Sequence, residues 1–203
     1  MLDNKVIVLA SSNQGKAREF GQLLAPLGFT IKLQKEFGVA DAEENGLSFL
    51  ENALIKARHA SIQTGLPALA DDSGICVDLL KGAPGIHSAR FAEHGNDEAN
   101  NAKLLESLKA WERIEERTAR YVCALALVRH PDDPLPLTAL ATWDGFIGLK
   151  PAGSRGFGYD PLFVLQGRGL TAAQLPEQTK NLISHRGRAM KKLCVLLQKY
   201  PLD

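Results

Sequence analysis

A chain of 203 residues, 45% apolar and 23% charged, is an ordinary soluble globular protein, long enough for one large domain or two lobes sharing a core. Its formal net charge of +1 excludes the polybasic field that nucleic acids and membrane surfaces attract, so an anionic ligand must be held by local cations. The three cysteines, Cys76, Cys123 and Cys194, lie in apolar runs without CxxC spacing, which argues against a disulfide framework or a zinc site. The N-terminus lacks a signal-peptide apolar region and no apolar run is long enough to span a bilayer, so a cytoplasmic protein is expected.

In chain order, Lys5 to Ala10 (KVIVLA) predicts a short strand buried on both faces. The polar turn Ser11-Ser12-Asn13-Gln14-Gly15-Lys16 follows. A helix is predicted from Lys16 to Leu27, with Ala17, Phe20, Leu23, Leu24 and Leu27 on one face and Gly28 past its end. Thr30 to Leu33 reads as a second strand. The acidic loop Asp41 to Gly46 precedes Ser48 and Glu51, whose spacing is that of a capping box opening a helix to about Thr64, closed by Gly65. Ala68 to Asp78 then reads as an apolar strand, two adjacent carboxylates (Asp71, Asp72) on a turn made by Ser73-Gly74, and a second apolar strand.

Lys81 to Gly85 is rich in turn formers. Asp97 to Lys109 predicts a helix with Ala102, Leu105 and Leu108 inward. Thr118 to Val128 is apolar on both alternating sets, as in a central strand, and Leu137 to Trp143 returns after the turn at Pro131–Pro134. Gly145 to Gly158 reads as a loop, Pro161 to Leu165 as a strand, and Ser184 to Tyr200 as a helix with Ala189, Leu193, Leu196 and Leu197 inward. Helices alternating with strands, then a strand pair, favour an α/β fold: a mixed β-sheet with helices on its faces, as a single domain over residues 1–203.

Four stretches could carry chemistry. The turn Ser11 to Lys16 leads into a helix N-terminus, whose free N–H groups and positive dipole end suit a phosphate; it equally fits an ordinary capped connection, and it is not a Walker A loop. Glu43-Glu44 and Asp71-Asp72 are paired carboxylates beside regular elements. If their loops meet, they could form an open magnesium site that keeps several waters and takes substrate phosphates, with a carboxylate left to deprotonate a water. The Asp-x-Asp of haloacid-dehalogenase phosphatases is absent, since Ser73-Gly74 follows Asp72. Glycines around Phe157 in Gly153 to Pro161 hold that aromatic under little steric cover, where it can stack on a base or plug the core. Lys180 and Ser184-His185-Arg186 put basic groups at the start of the last helix, against its dipole. There a guanidinium could donate to a base carbonyl.

Taken together, ASSNQGK (10–16), ENALIKARHA (51–60), ALADDSGICVDLLKGAPGIHSAR (68–90), GFGYDPLF (156–163) and SHRGRAMKKL (184–193) resemble the Ham1-like nucleoside triphosphate pyrophosphatases, the inosine triphosphatase or dITP/XTP pyrophosphatase enzymes. The match is in order and covers nearly the whole chain. The resemblance implies a homodimer of elongated α/β protomers with the active site in a cleft between two lobes. It implies magnesium-dependent hydrolysis of ITP, dITP and XTP to the monophosphate and pyrophosphate. Carried over by position, Ser11, Ser12, Asn13, Gln14, Gly15 and Lys16 would hold the triphosphate. Glu44 and Asp72 would serve the metal, Asp72 also acting as general base. Ser73 would touch substrate, and Phe157, Gly158, Tyr159, Asp160, Lys180, His185 and Arg186 would form the base-binding side. Two departures stand out: Ser12 where many relatives have Gly, and Arg155 in a glycine-rich position. The competing readings are a Maf-like nucleotide pyrophosphatase, against which the GFGYD and SHR blocks argue, and a nucleotide sensor without hydrolysis, for which a damaged acidic site would be expected.

Overall fold

The computed structural model describes residues 5–202. The fold is mixed α/β, with one six-stranded sheet in the order β2-β1-β3-β4-β5-β6 and helices between its strands. The strands are β1 (Lys5–Leu9), β2 (Phe29–Leu33), β3 (Ala68–Val77), β4 (Thr118–Val128), β5 (Leu137–Ile147) and β6 (Phe163–Leu165). The helices are α1 (Gln14–Leu24), α2 (Phe49–Thr64), α3 (Asp97–Ser107), α4 (Glu177–Ile183) and α5 (His185–Lys199). β1 runs parallel to β2, with Lys5 opposite Phe29 and Leu9 opposite Leu33, and parallel to β3, with Val8 opposite Ala68. β6 closes antiparallel on β5. No helix among the described residues is long and apolar enough to cross a membrane.

The chain divides into two compact units. The first comprises residues up to 72, 124–140 and from 189 on. Its core is built from small side chains: Ala53, Ala57 and Ala60 of α2 meet Val8, Ala68, Ala70, Ala124 and Ala126 on the strands. The i, i+4, i+7 spacing puts the three alanines on one helix face, and their size lets α2 lie close to the sheet. Ser48 caps α2 by accepting from the Glu51 N–H, as its spacing predicts, but the Glu51 carboxylate accepts from the Ser48 hydroxyl and the Leu47 N–H rather than from the Ser48 N–H of a full capping box. The second unit comprises residues 73–123 and 141–188. Its core is larger-grained: Ile75, Leu104, Leu108, Tyr121, Trp143, Ile147, Tyr159 and Phe163 are all buried.

Five expectations are corrected. Residues 68–77 form one strand without a turn at Ser73-Gly74. Gly74 takes no left-handed conformation, so the local turn preference yields to sheet pairing along the whole segment. Leu23 is exposed, and α1 turns Phe20 and Leu24 inward before ending in a 3-10 turn over residues 25–27. On α3 it is Leu104 and Leu108 that are buried, while Ala102 faces outward. β5 runs on through Gly145 to Ile147, so the glycine-rich loop starts later. The short α4 before the last helix was not expected. All three cysteines are free thiols, with Cys123 buried and Cys76 and Cys194 half-buried.

Candidate active site

In the first unit, the turn between β1 and α1 has the expected helix-start geometry. Asn13 is the N-cap and accepts from the Lys16 N–H at 3.1 Å, while Ser11 Oγ accepts from the Asn13 N–H at 3.1 Å. Ser12, Asn13 and Gln14 are exposed, and Ser11, Gly15 and Lys16 are half-buried. The Lys16 ammonium lies 3.3 Å from Asp71, whose side chain is fully buried. The cationic end of this turn is thereby anchored to β3.

The acidic loop is held from α2. The Asn52 side-chain oxygen accepts from the Gly46 N–H at 2.9 Å, and His59 bonds the Ala40 carbonyl at 3.0 Å. From the other end Gln34 donates to Asp41. This brings Glu44 to α2, where Lys56 bridges it to Asp72: the Lys56 ammonium is 3.0 Å from Glu44 and 2.7 Å from Asp72 Oδ1, and also donates to the Asp71 carbonyl. The expected meeting of the two acidic pairs thus occurs between Glu44 and Asp72, through a lysine. Lys56 stands one residue before Ala57 of the buried alanine stripe, which carries its stem inward. It was missed as a functional residue, although it sits in the ENALIKARHA run; a basic residue beside an apolar helix face, with acids to neutralise elsewhere, was the available signal.

The electrostatics follow. Burial pushes the Asp72 carboxyl above its ordinary range, helped by the Glu44 and Asp71 charges, and Lys56 opposes the shift without cancelling it. Burial would lower Lys56, but the carboxylates at its head outweigh this and hold it raised. Asp72 Oδ1 is taken by Lys56, whereas Oδ2 is buried and accepts no hydrogen bond. An orphaned carboxylate oxygen beside a second carboxylate is a hard, anionic donor set, and it fits magnesium. Among the described residues no group of three or more His, Cys, Asp and Glu forms a closed cation cage.

The second unit carries the other expected residues. Phe157 is half-exposed, with the Lys180 ammonium 4.9 Å and the Arg186 guanidinium 5.5 Å from its ring centre. Asp160 is buried beneath it. One Asp160 oxygen accepts from the Phe157 N–H at 2.9 Å and is ion-paired with Lys180; the other accepts from the Tyr121 hydroxyl at 3.3 Å. Burial, then Asp160, hold the Tyr121 phenol well above its ordinary range, so it stays a donor. Gly156 must be glycine: its φ is +79°, and a Cβ there would fall 2.0 Å from the Asp160 carboxylate. His185 and Arg186 are both buried at the start of α5. The His185 imidazole lies flat on Tyr121, ring centres 4.6 Å apart and planes within 6°. Tyr159 turns into the core and donates to the Ser88 carbonyl at 2.8 Å. Ser73, next after Asp72 on β3, is half-buried.

The sequence profile of the Ham1 family matches residues 7–196. A protein of Photorhabdus laumondii named dITP/XTP pyrophosphatase is 52% identical over 92% of this chain and 95% of its own. One of Thioalkalivibrio sulfidiphilus with the same name is 54% identical over 95% of this chain and 98% of its own. Among solved structures, a HAM1 protein from Coxiella burnetii superposes with a TM-score of 0.91 at 46% identity, covering 96% of this chain and 99% of that one.

Proposed function

This chain belongs to the Ham1 family, and from that premise we propose that it hydrolyses the non-standard purine nucleoside triphosphates ITP, dITP and XTP to the monophosphate and pyrophosphate, clearing them from the nucleotide pool. The observation that carries the reading is Asp72: a buried carboxylate with one oxygen fixed by Lys56, the other open, and Glu44 on the same lysine.

The roles divide by residue. The turn Ser11 to Lys16 holds the triphosphate, through N–H groups at the start of α1 and the Lys16 charge. Glu44 and Asp72 would hold magnesium, which when bound neutralises phosphate charge. Lys56 keeps both carboxylates apart and oriented. Asp72 orients the attacking water and takes its proton as the water oxygen bonds the α-phosphorus; the bond to the bridging oxygen breaks and pyrophosphate leaves. Positioning and electrostatics carry most of the barrier reduction in phosphoryl transfer.

The base falls to the second unit. The Phe157 ring offers a stacking face, Gly158, Asp160, Lys180, His185 and Arg186 complete that side, with Tyr159 supporting it from the core, and Ser73 touches the substrate beside Asp72. Arg186 donates to the 6-keto oxygen of hypoxanthine or xanthine. Adenine presents a donor there, which faces the guanidinium N–H groups donor to donor and disfavours it. The functional unit is proposed to be a homodimer, as the resemblance implies.

The test is pyrophosphate release from ITP, XTP, GTP, ATP and dTTP, each with magnesium and with EDTA. Magnesium-dependent release from ITP and XTP, preferred over GTP and ATP by at least ~100-fold in kcat/KM, is expected. Release mainly from dTTP would move the assignment to the Maf-like activity. Binding of ITP without release from any of the five would make the protein a sensor.

A further inference from the structure

Phe157 sits between two glycines in left-handed conformations, Gly156 at φ +79° and Gly158 at φ +60°. Such a loop has more conformations to lose than any other, so its geometry depends on what grips it. On the N-terminal side the grip is Asp160, through the Phe157 N–H. On the C-terminal side it is the first turn of α3. Asp97 Oδ2 accepts from the Gly158 N–H at 2.6 Å, and the Asn101 side-chain amide donates to the Gly158 carbonyl at 2.8 Å. Both polar groups of Gly158 are thus taken by two side chains one helical turn apart. The same Asn101 amide nitrogen donates to the Asp97 carbonyl at 2.8 Å. Only the NH2 end of an asparagine can serve two carbonyls, so the orientation of that side chain is fixed by chemistry. Asp97 lies where a carboxylate is favoured anyway, at the positive end of α3. Asn100, between them, holds the chain at Ala89 to Glu93 with four hydrogen bonds. The bracket that grips Gly158 is therefore itself anchored.

We propose that Asp97 and Asn101 are positioning residues for purine recognition: by fixing the peptide of Gly158 they set where the Phe157 ring stands and so how tightly the base is held. This rests on the function proposed above. Neither residue touches the reacting phosphates in that reading. Their loss should weaken base binding equally in ground and transition states, raising KM with kcat preserved.

The experiment compares ITP with inorganic tripolyphosphate, which has the phosphates and no base, on wild type, Asp97→Ala, Asn101→Ala and Asp97→Asn. Asp97→Ala, which removes a charge-assisted hydrogen bond, is expected to raise KM for ITP about tenfold, and Asn101→Ala, which removes a neutral one, about fivefold. The inhibition constant for tripolyphosphate should stay within about twofold of wild type. Asp97→Asn should restore most of the KM, because its amide oxygen still accepts from the Gly158 N–H while the charge is gone. If Asp97→Ala fails to fold, Asp97→Glu carries the same comparison, since it keeps the acid at the helix start and overreaches Gly158 by one methylene. An unchanged KM for ITP, or a tripolyphosphate constant that rises in parallel, overturns the proposal. Absence of ITP turnover by the wild-type protein overturns the underlying function and the proposal with it.

Discussion

Asp72 is flanked by charges that act in opposite directions, and its chemistry depends on the balance. Lys56 fixes one oxygen, and the neighbouring carboxylates with burial keep the proton affinity of the group high. Asparagine at 72 preserves shape and the contact to Lys56 while removing the base. Asp72→Asn is expected to lower kcat for ITP by about 10²–10⁴, the range for loss of a general base, with ITP binding retained. Steady-state kinetics and calorimetric titration with ITP check the two halves of that statement; unchanged turnover would remove Asp72 from the mechanism. The candidacy of Lys16 and of the pairs Glu43-Glu44 and Asp71-Asp72 was legible from the sequence, because paired acids and a polar turn before a helix are local patterns; the resemblance singled out Glu44 and Asp72. Lys56 was not. Its role depends on the alanine stripe that draws α2 against β3, and that is a fact of packing.

At the scale of elements, two buried charges lock chain segments together. Arg117 is almost fully buried, with no carboxylate partner among the described residues. Its guanidinium donates at 2.7–2.9 Å to the carbonyls of Leu108, Trp111 and Gly148, tying the end of α3 to the end of β5 within the second unit. Arg117→Met keeps the stem and removes the donors; a loss of about 3 kcal/mol is expected in chemical denaturation, since hydrogen bonds to charged groups are worth about 1.5–3 kcal/mol each and their carbonyls find partial replacements. Asp133 holds the turn between β4 and β5. It accepts from the Arg129 and Leu135 N–H groups and from the Arg129 guanidinium, and Arg58 of α2 donates to its carbonyl. Burial acts to raise this carboxyl, but the donors together hold it below the ordinary aspartate range. A depressed carboxyl stabilises the fold at pH above its unfolded value of about 3.9 and loses that contribution as pH falls through its folded value. The difference in Tm between wild type and Asp133→Asn is therefore expected to be full at pH 6 and to shrink below pH ~4. A difference independent of pH would mean that the carboxylate charge adds nothing. Elements with a strong local signature, such as α2 with its Ser48 cap and the doubly apolar β4, were readable in advance. β3 was misread because Ser73-Gly74 is a good turn by itself, and pairing along the sheet overrides it.

For the molecule as a whole, the near-neutral net charge leaves recognition to local arrangements. Each unit has its own core and its own charged cluster. Light scattering at micromolar concentration is expected to give twice the 22.0 kDa chain mass; a single-chain mass would withdraw the homodimer. Fold class was legible because alternation of helix and strand signals survives errors at individual boundaries. The pattern of side-chain contacts around Asp160 was not, since Tyr121, Phe157 and Lys180 come from three distant parts of the chain.

The space beside Gly156 has a consequence for how such a protein can change over generations. The volume a methyl group would need is already filled by the Asp160 carboxylate. A chain acquiring alanine at 156 must also surrender or shorten the acid at 160, which would strip Lys180 of its counter-charge and Tyr121 of its acceptor. A single step at either position is therefore expected to be costly unless the other changes with it, whereas Ser154 and Arg155, which face outward, can change alone.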